Sequence, residues 1–190
     1  MKKFLSICLC VLFLSSCGAE QEYTSWPCRF TFDNSLHLDE TLNTATNSYA
    51  PGIFCKITQD SRGGQRFLKF ENNQGLTSEV WLTAAETYSN MRIGLNNGII
   101  VGFTDFDGFA AYDIQCPNCV RESNNYSSPN FQIVMDTKGS GLATCSKCSR
   151  VYSLRNSGLV VEGKEGDKGL ERYRNAYTAG PNQLIRVVSE

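Results

Sequence analysis

Four cysteines form two Cys-x-x-Cys motifs in the second half of this 190-residue chain. The motifs are Cys116-Pro-Asn-Cys119 and Cys145-Ser-Lys-Cys148. Each motif presents two sulfur atoms from one short stretch of backbone, and two such motifs together supply the four thiolates of one metal centre. The pattern therefore predicts a single metal site built from all four cysteines.

The types of ligand available narrow the choice of metal. The only histidine is His37, far upstream of both motifs, so the site would have only or mostly sulfur ligands. Sulfur favours zinc or iron over Mg²⁺ and Ca²⁺. Zn²⁺ in a closed structural site is the first interpretation. A 2Fe-2S cluster or a single Fe is the alternative, and two disulfides without a metal are a third reading in an oxidising compartment.

The N-terminus has the pattern of an export signal. Two lysines precede an apolar run, residues 4–14, which is too short to span a bilayer comfortably. A Leu-Ser-Ser-Cys motif ending at Cys17 follows and resembles a bacterial lipobox. We therefore expect residues 1–16 to be a signal peptide, Cys17 to be lipidated, and residues 17–25 to form a tether. An ordinary secretory signal is the alternative.

A lipid on Cys17 would make the lipid bilayer a partner of the protein. Gly18 follows Cys17, where an aspartate would signal retention at the inner membrane, so we expect an outer-membrane lipoprotein facing the periplasm or the cell surface. Removing residues 1–16 takes away two lysines and leaves 16 basic and 19 acidic residues, a net charge of −3. Without a basic excess, nucleic acid is not an expected partner. The sequence names no protein partner.

The remaining cysteines suggest a disulfide. Of the nine cysteines, Cys8 and Cys10 would leave with the signal peptide and Cys17 would carry the lipid. Setting aside the four in the motifs leaves Cys28 and Cys55, an even pair in an oxidising compartment. We expect these two to be bonded, with two buried free thiols as the alternative.

The pattern of apolar residues predicts one all-β domain over residues 26–190. Short runs rich in β-branched and aromatic residues are separated by Gly, Asn, Asp and Pro, which is typical of a sandwich or barrel. The segment 77–88 fits a strand or irregular segment better than a helix, and 34–49 fits a long loop or hairpin. The predicted strands lie in residues 29–32, 52–57, 66–70, 98–103, 109–114, 131–135, 159–161 and 183–188.

The order of elements around the two motifs, over roughly residues 100–188, resembles a Rieske domain. A predicted strand leads into the first motif, in the position of the first cluster-binding loop, and Cys145–Ser149 takes the position of the second. The features that follow also match. They are a turn with an aromatic residue and then Gly at Val151–Gly158, a later Gly at Glu162-Gly163, and a Leu-x-x-Tyr strand at Leu170–Tyr173. The resemblance implies a Rieske-like β-sandwich or barrel with a metal-binding loop subdomain at about residues 105–165.

The chain also departs from the Rieske pattern. In that family each loop supplies one cysteine and one histidine to a 2Fe-2S cluster, and the histidines raise its potential. Here cysteine replaces both histidines, and the first loop has one extra residue between its ligands. The resemblance therefore implies the fold and the position of the metal, and it does not carry over electron transfer.

The expected function follows from the saturated ligand set. Four thiolates complete a tetrahedral ion, and no His, Asp or Glu lies inside either motif to act as a base. We expect an exported, membrane-anchored lipoprotein whose metal site has a structural or binding role. An electron-transfer protein of Rieske or ferredoxin type is the alternative. The sequence contains no recognisable set of catalytic residues.

Overall fold

The chain folds mostly into short antiparallel strands. The computed structural model describes residues 23–88, 91–127 and 129–189. The strands in these residues are β1 Arg29–Asp33, β2 Phe54–Arg62, β3 Gln65–Asn72, β4 Thr77–Trp81, β5 Gly98–Phe103, β6 Phe109–Asp113, β7 Ile133–Met135, β8 Leu142–Cys145, β9 Val151–Ser153, β10 Leu159–Glu162, β11 Asn175–Thr178 and β12 Leu184–Val188. The helices are α1 Glu40–Ala45, α2 Ala84–Tyr88 and α3 Pro117–Ser123, with a 3₁₀ turn at Asn34–Leu36.

The strands form three antiparallel sheets. The largest has the order β4-β3-β2-β5-β6, the second β1-β12-β11 and the third β10-β9-β8-β7. The second sheet joins the two ends of the described chain, because β1 pairs with β12 from Arg29 opposite Val188 to Asp33 opposite Leu184. The expected all-β class is thus confirmed as a mostly β protein with several antiparallel sheets.

The five-stranded sheet is buried on both faces along its central strands. Side chains alternate between the faces of a strand, so Ile99 and Val101 of β5 enter one core while Ile100 enters another. The first core includes side chains of the three-stranded sheet, and the second contains the cysteines of the two motifs. This double burial explains why β5 is an uninterrupted apolar run instead of an alternating one.

Gly102 allows strand β2 to lie close to strand β5. A Cβ atom at this position would lie 2.4 Å from the carbonyl oxygen of Ile53 and 2.6 Å from the ring of Phe54. No side chain fits that space without a shift of the backbone. The glycine therefore permits the tight pairing of β2 with β5.

The segment expected to be a long loop or hairpin, residues 34–49, contains helix α1. Asp39 caps the helix, because its side chain accepts a hydrogen bond from the backbone N–H of Leu42 at 2.9 Å. The buried residues of α1 are Thr41, Leu42 and Ala45, spaced to face one side of a helix. Since the helix has only six residues, its apolar face is too short to stand out in the sequence.

Several other elements differ from the predicted ones in length or number. The segment 77–88 is divided into strand β4, as favoured, and the short helix α2. Strands β8, β9 and β11 have three or four residues each and were not predicted. The other strands predicted from apolar runs are present, with shifted ends. The strand implied by the resemblance at Leu170–Tyr173 is instead a single isolated bridge between Arg172 and Tyr112.

The predicted disulfide between Cys28 and Cys55 is wrong. All six cysteines in the described residues are free thiols. Cys28 immediately precedes β1, and its Sγ lies 3.6 Å from the carbonyl oxygen of Val187, whereas Cys55 lies in β2 beside the carbonyl of Lys56. Burial raises the pKa of Cys28 to about 11, so this thiol stays protonated. The buried free thiols named as the alternative are what the structure contains.

The predicted signal peptide, the lipidation site Cys17 and most of the predicted tether lie outside the described residues. Among the helices that are described, none has the length and apolar character needed to cross a membrane.

The buried carboxyl group of Asp113, at the end of β6, accepts hydrogen bonds from three other residues. One of its oxygens accepts hydrogen bonds from the backbone N–H of Leu95 at 2.6 Å and from the hydroxyl of Tyr173 at 2.7 Å. The other accepts from the backbone N–H of Gln115 at 2.8 Å. Burial raises the pKa of Asp113 to about 6, although these three hydrogen bonds act in the opposite direction.

We predict that Asp113 makes the free energy of unfolding fall as the pH rises. Its pKa is higher in the folded than in the unfolded chain, so its favourable contribution is complete below about pH 4 and is lost as the pH passes 6. Between pH 4 and 7 the loss should be at most about 3 kcal/mol relative to Asp113→Asn, which cannot ionise. Denaturant unfolding at several pH values measures this difference.

The exposed carboxylate of Asp60 provides the control, because its pKa is lowered by the hydrogen bond from Lys69. The variant Asp60→Asn should not remove the loss of stability seen in the native chain. A difference between native protein and Asp113→Asn that stays constant from pH 4 to 7 would contradict the prediction. Asp113→Asn also loses one hydrogen bond at every pH. This loss lowers its free energy of unfolding by the same amount at each pH, so it does not affect how that free energy changes with pH.

Candidate metal centre

The two Cys-x-x-Cys motifs meet, as predicted, at one end of the second core. The sulfur atoms of Cys116, Cys119, Cys145 and Cys148 all lie within 4.8 Å of one another. The Sγ atoms of Cys116 and Cys148 are 3.8 Å apart, and so are those of Cys119 and Cys145. Each of these close pairs joins one cysteine from each motif. The motifs therefore face each other across a common centre and together could hold a metal ion.

The first motif forms the start of a helix, which the sequence did not predict. Cys116 is the residue before α3, Pro117 occupies its first turn, and Cys119 follows within the same turn. Proline suits this position because its fixed φ is helical and its missing N–H would be unpaired there anyway. The helical turn places the two sulfur atoms of the motif on one side of the backbone.

The second motif forms a tight turn at the end of β8. The backbone N–H of Lys147 donates to the sulfur of Cys145 at 3.4 Å, and the N–H of Ser149 donates to the carbonyl of Cys145 at 3.0 Å. Ser149 has φ = 60°, a left-handed conformation that is uncommon outside glycine. Strand β9 then returns along β8, so the turn is held by sheet hydrogen bonds on both sides.

A buried amide beneath the first motif fixes its position. The side-chain NH₂ of Asn118 donates to the hydroxyl of Tyr152 at 3.1 Å and to the carbonyl of Lys168 at 2.8 Å. Its carbonyl oxygen accepts from the backbone N–H of Lys168 at 2.9 Å and from Arg121 at 3.0 Å. The side chain thus joins α3, β9 and the segment before residue 170. The Asn118 side chain is fully buried, and its bond to Tyr152 is buried as well.

The hydroxyl of Tyr152 also contacts the cysteine cluster. It lies 3.1 Å from the sulfur of Cys116, and both residues are fully buried. A hydroxyl that donates to a thiolate stabilises its negative charge. The Tyr152 hydroxyl therefore ties β9 of the third sheet to the first motif without acting as a ligand.

One positive charge lies next to the cluster. Arg150 pairs with Asp167 at 2.7 Å and with Glu122 at 2.6 Å, and its side chain is 5 % exposed. Asp167, Glu122 and then Cys148 raise the pKa of Arg150, so the guanidinium keeps its charge. Cys148 therefore interacts with a charged guanidinium whose charge is also shared with Asp167 and Glu122.

The thiols compete for protons when no cation is present. The hydrogen bond from Cys145, followed by that from Tyr152, lowers the pKa of Cys116, while the same contact with Cys116 raises the pKa of Cys145. Burial raises the pKa of Cys119. One thiolate is therefore stabilised by its protonated neighbours, and a bound cation would take the place of those protons.

The segment Tyr23–Trp26, here called the N-terminal strap, lies beside the first motif. The backbone N–H of Thr24 donates to the carbonyl of Arg172 at 2.8 Å. The indole ring of the strap meets Tyr126 edge-on, with ring centroids 6.5 Å apart. A cavity of about 310 Å³ between strap and core is lined partly by Pro117. The N-terminal strap therefore lies next to the end of the molecule that carries the four cysteines.

The sequence and the structure agree on the ligands and differ on their support. The cysteines were predicted from spacing alone, and the structure brings all four together. Asn118 and Arg150 were not singled out, since a lone Asn or Arg carries no signal until its partners are known. Cys28, Cys55 and His37 are not part of this site.

We predict that Asn118→Ala will destabilise the fold. The substitution removes the hydrogen bonds to the N–H and carbonyl of Lys168 and one of the two contacts of the buried Tyr152 hydroxyl, which keeps the sulfur of Cys116. The loss should be roughly 2–4 kcal/mol in the free energy of unfolding, because unpaired buried polar groups cost about 1–3 kcal/mol each and partly relax. Denaturant unfolding measures it.

The variant Arg121→Ala is the matched control, since Arg121 is exposed and its side chain donates to the same amide. It should change the free energy of unfolding by less than about 1 kcal/mol. If Asn118→Ala were no more destabilising than Arg121→Ala, the amide would not be fixing the motif.

Comparison with protein-family models, with curated proteins and with solved structures finds no match for this chain. The role of the cysteine cluster therefore has to be inferred from its own geometry and surroundings.

Proposed function

We propose that the four cysteines bind one tetrahedral metal ion, Zn²⁺, whose role is to hold the two motifs and the third sheet together. The observation that carries this proposal is the mutual distance of the four sulfur atoms, all within 4.8 Å. For Zn–S bonds of about 2.3 Å, the edge of an S₄ tetrahedron is about 3.8 Å. Both close pairs have this separation.

The same distances favour a single ion over a two-iron cluster. In a 2Fe-2S cluster each iron takes its own pair of protein ligands, so the two pairs are separated by the width of the cluster. Sulfur atoms that all lie within 4.8 Å leave no room for that separation. A single Fe in the same four-sulfur site is the closest competitor, and metal analysis distinguishes it from zinc.

A structural role follows from the environment of the cysteines. Four thiolates leave no open position for water or substrate, which is typical of structural zinc sites. Cys116 and Cys145 are completely or almost completely buried, and only Cys148 is half-buried. The ion would link α3 to the β8–β9 turn, two segments that otherwise meet through a few hydrogen bonds.

The rest of the proposal concerns fold type and location. The order of a strand, a Cys motif, a second Cys motif and an aromatic strand supports a Rieske-like fold in which Cys119 and Cys148 replace histidines. The lipobox at Cys17 supports an exported lipoprotein held on the bilayer, in the outer membrane, by its N-terminus. On this proposal the protein is a membrane-anchored binding or scaffold module.

Cys145→Ser should abolish stoichiometric metal binding. Purified native protein is expected to contain one zinc per chain and to be colourless. The variant should bind Zn²⁺ more than about 100-fold more weakly, because losing even an outer-sphere partner costs roughly 10–100-fold. It should also unfold at a lower temperature, since bound metal stabilises the folded chain. Elemental analysis, competition with a chelator and thermal unfolding give the three readouts.

Cys28→Ser is the matched control, because Cys28 is a buried thiol outside the cluster. It should keep one metal ion per chain. Stoichiometric iron with a reversible one-electron couple in the native protein would overturn the zinc assignment. It would support the alternative, an exported iron protein that transfers electrons.

Cys17→Ala should release the protein from the membrane fraction into the soluble exported fraction. The thiol of Cys17 is the proposed site of lipid attachment, and without acyl chains the described part of the chain has no helix that spans a bilayer. Fractionation followed by immunoblotting measures the shift, and Cys28→Ser again serves as control. Full membrane retention of Cys17→Ala would show that another segment anchors the protein.

A further inference from the structure

Three arginines surround an open groove on the three-stranded sheet, away from the cysteine cluster. The groove has a volume of about 700 Å³. Arg29, Arg92 and Arg186 line it, together with the hydroxyl groups of Thr31 and Ser189. None of the described residues that line the groove is acidic, and none belongs to the metal site.

The strand register brings the three arginines together. Arg29 and Arg92 form an antiparallel bridge in which each backbone N–H donates to the carbonyl of the other, at 2.7 and 3.0 Å. They are therefore directly opposite each other. On the other side of β1, Arg29 is paired with Val188 and Thr31 with Arg186. Arg186 is thus the diagonal neighbour of Arg29 on the same face of the sheet.

This arrangement concentrates three positively charged side chains around one groove. Like charges directly opposite each other on neighbouring strands destabilise a sheet. Neither Arg92 nor Arg186 has an ion pair with any of the residues that the structure describes. The nearest carboxylate on this strand, Asp33, is turned away to accept hydrogen bonds from the backbone and hydroxyl of Ser35.

A bound anion would relieve the repulsion. Guanidinium groups bind carboxylate and phosphate oxygens through two parallel hydrogen bonds, and three of them around one groove suit a ligand with more than one negative group. The hydroxyl of Thr31 adds a neutral donor, whereas that of Ser189 is bonded to the backbone of Cys28. Leu184 and Val188 add an apolar wall. We propose that this groove is a binding site for a small soluble polyvalent oxyanion of the carboxylate or phosphate type.

The test compares binding of two probes, pyrophosphate and citrate, to the full native chain and to its variants. Isothermal titration calorimetry should detect at least one of them. Arg186→Gln should weaken that binding by about 10–100-fold, because a charge-assisted hydrogen bond contributes about 1.5–3 kcal/mol. Which probe binds more tightly identifies the oxyanion as a phosphate or a carboxylate.

Arg186→Gln should weaken binding of the probe but raise the stability of the protein without the probe. In anion-free buffer at low ionic strength, Arg186→Gln should unfold at a higher temperature than the native chain, because one of the repelling charges is gone. At the same concentration, the probe should raise the unfolding temperature of the native chain more than that of the variant. This readout separates loss of the ligand site from simple misfolding.

Arg62→Gln is the control for the change in net charge, since Arg62 lies at the end of β2 and does not line the groove. It should bind the probe as tightly as the native chain. Failure of both probes to bind, equal weakening by Arg62→Gln and Arg186→Gln, or binding to anionic phosphatidylglycerol vesicles without binding of free probe would each overturn the proposal.

Discussion

Burial of β5 and β6 on both faces is the constraint on which the rest of the structure depends. A sheet with two covered faces needs a partner layer on each side, and the chain supplies these from sequence-distant segments. The N- and C-terminal strands close one face as β1 and β12. The other face is closed by the third sheet and the cysteine motifs. The position of the cysteine cluster therefore follows from the requirement to cover Ile100 and its neighbours.

The layer that carries the cysteines is poor in apolar material. Strands β7 to β10 have three or four residues each, and several of their outward side chains are exposed, among them Val134 and Leu159. Small layers of this kind cannot bury enough surface to be stable by themselves. A metal ion held by four thiolates adds binding free energy where hydrophobic burial is insufficient. The cysteines are thus placed where the fold most needs a link.

Local sequence patterns predicted some features of the structure, whereas features that depend on contacts between distant segments could not be predicted. Continuous apolar runs such as Ile99–Val101, and the spacing of the four cysteines, are local patterns, and they predicted the central strands and the ligands. The helical form of the first motif depends on Asn118 and its partners from distant segments, which no local pattern reveals. The error at Cys28 and Cys55 has a related cause. Counting leftover cysteines gives a pairing, but it carries no information about whether two thiols of the same core are in contact.

The N-terminal strap has a consequence for orientation. Tyr23 lies only six residues after Cys17, and a fully extended chain covers at most about 3.6 Å per residue. Acyl chains attached at Cys17 would therefore hold the strap within roughly 20 Å of the lipid headgroups. Because the strap packs beside Pro117, the cysteine end of the molecule would stand over the bilayer at short range. Anchoring would then determine the height and tilt of the domain as well as its compartment.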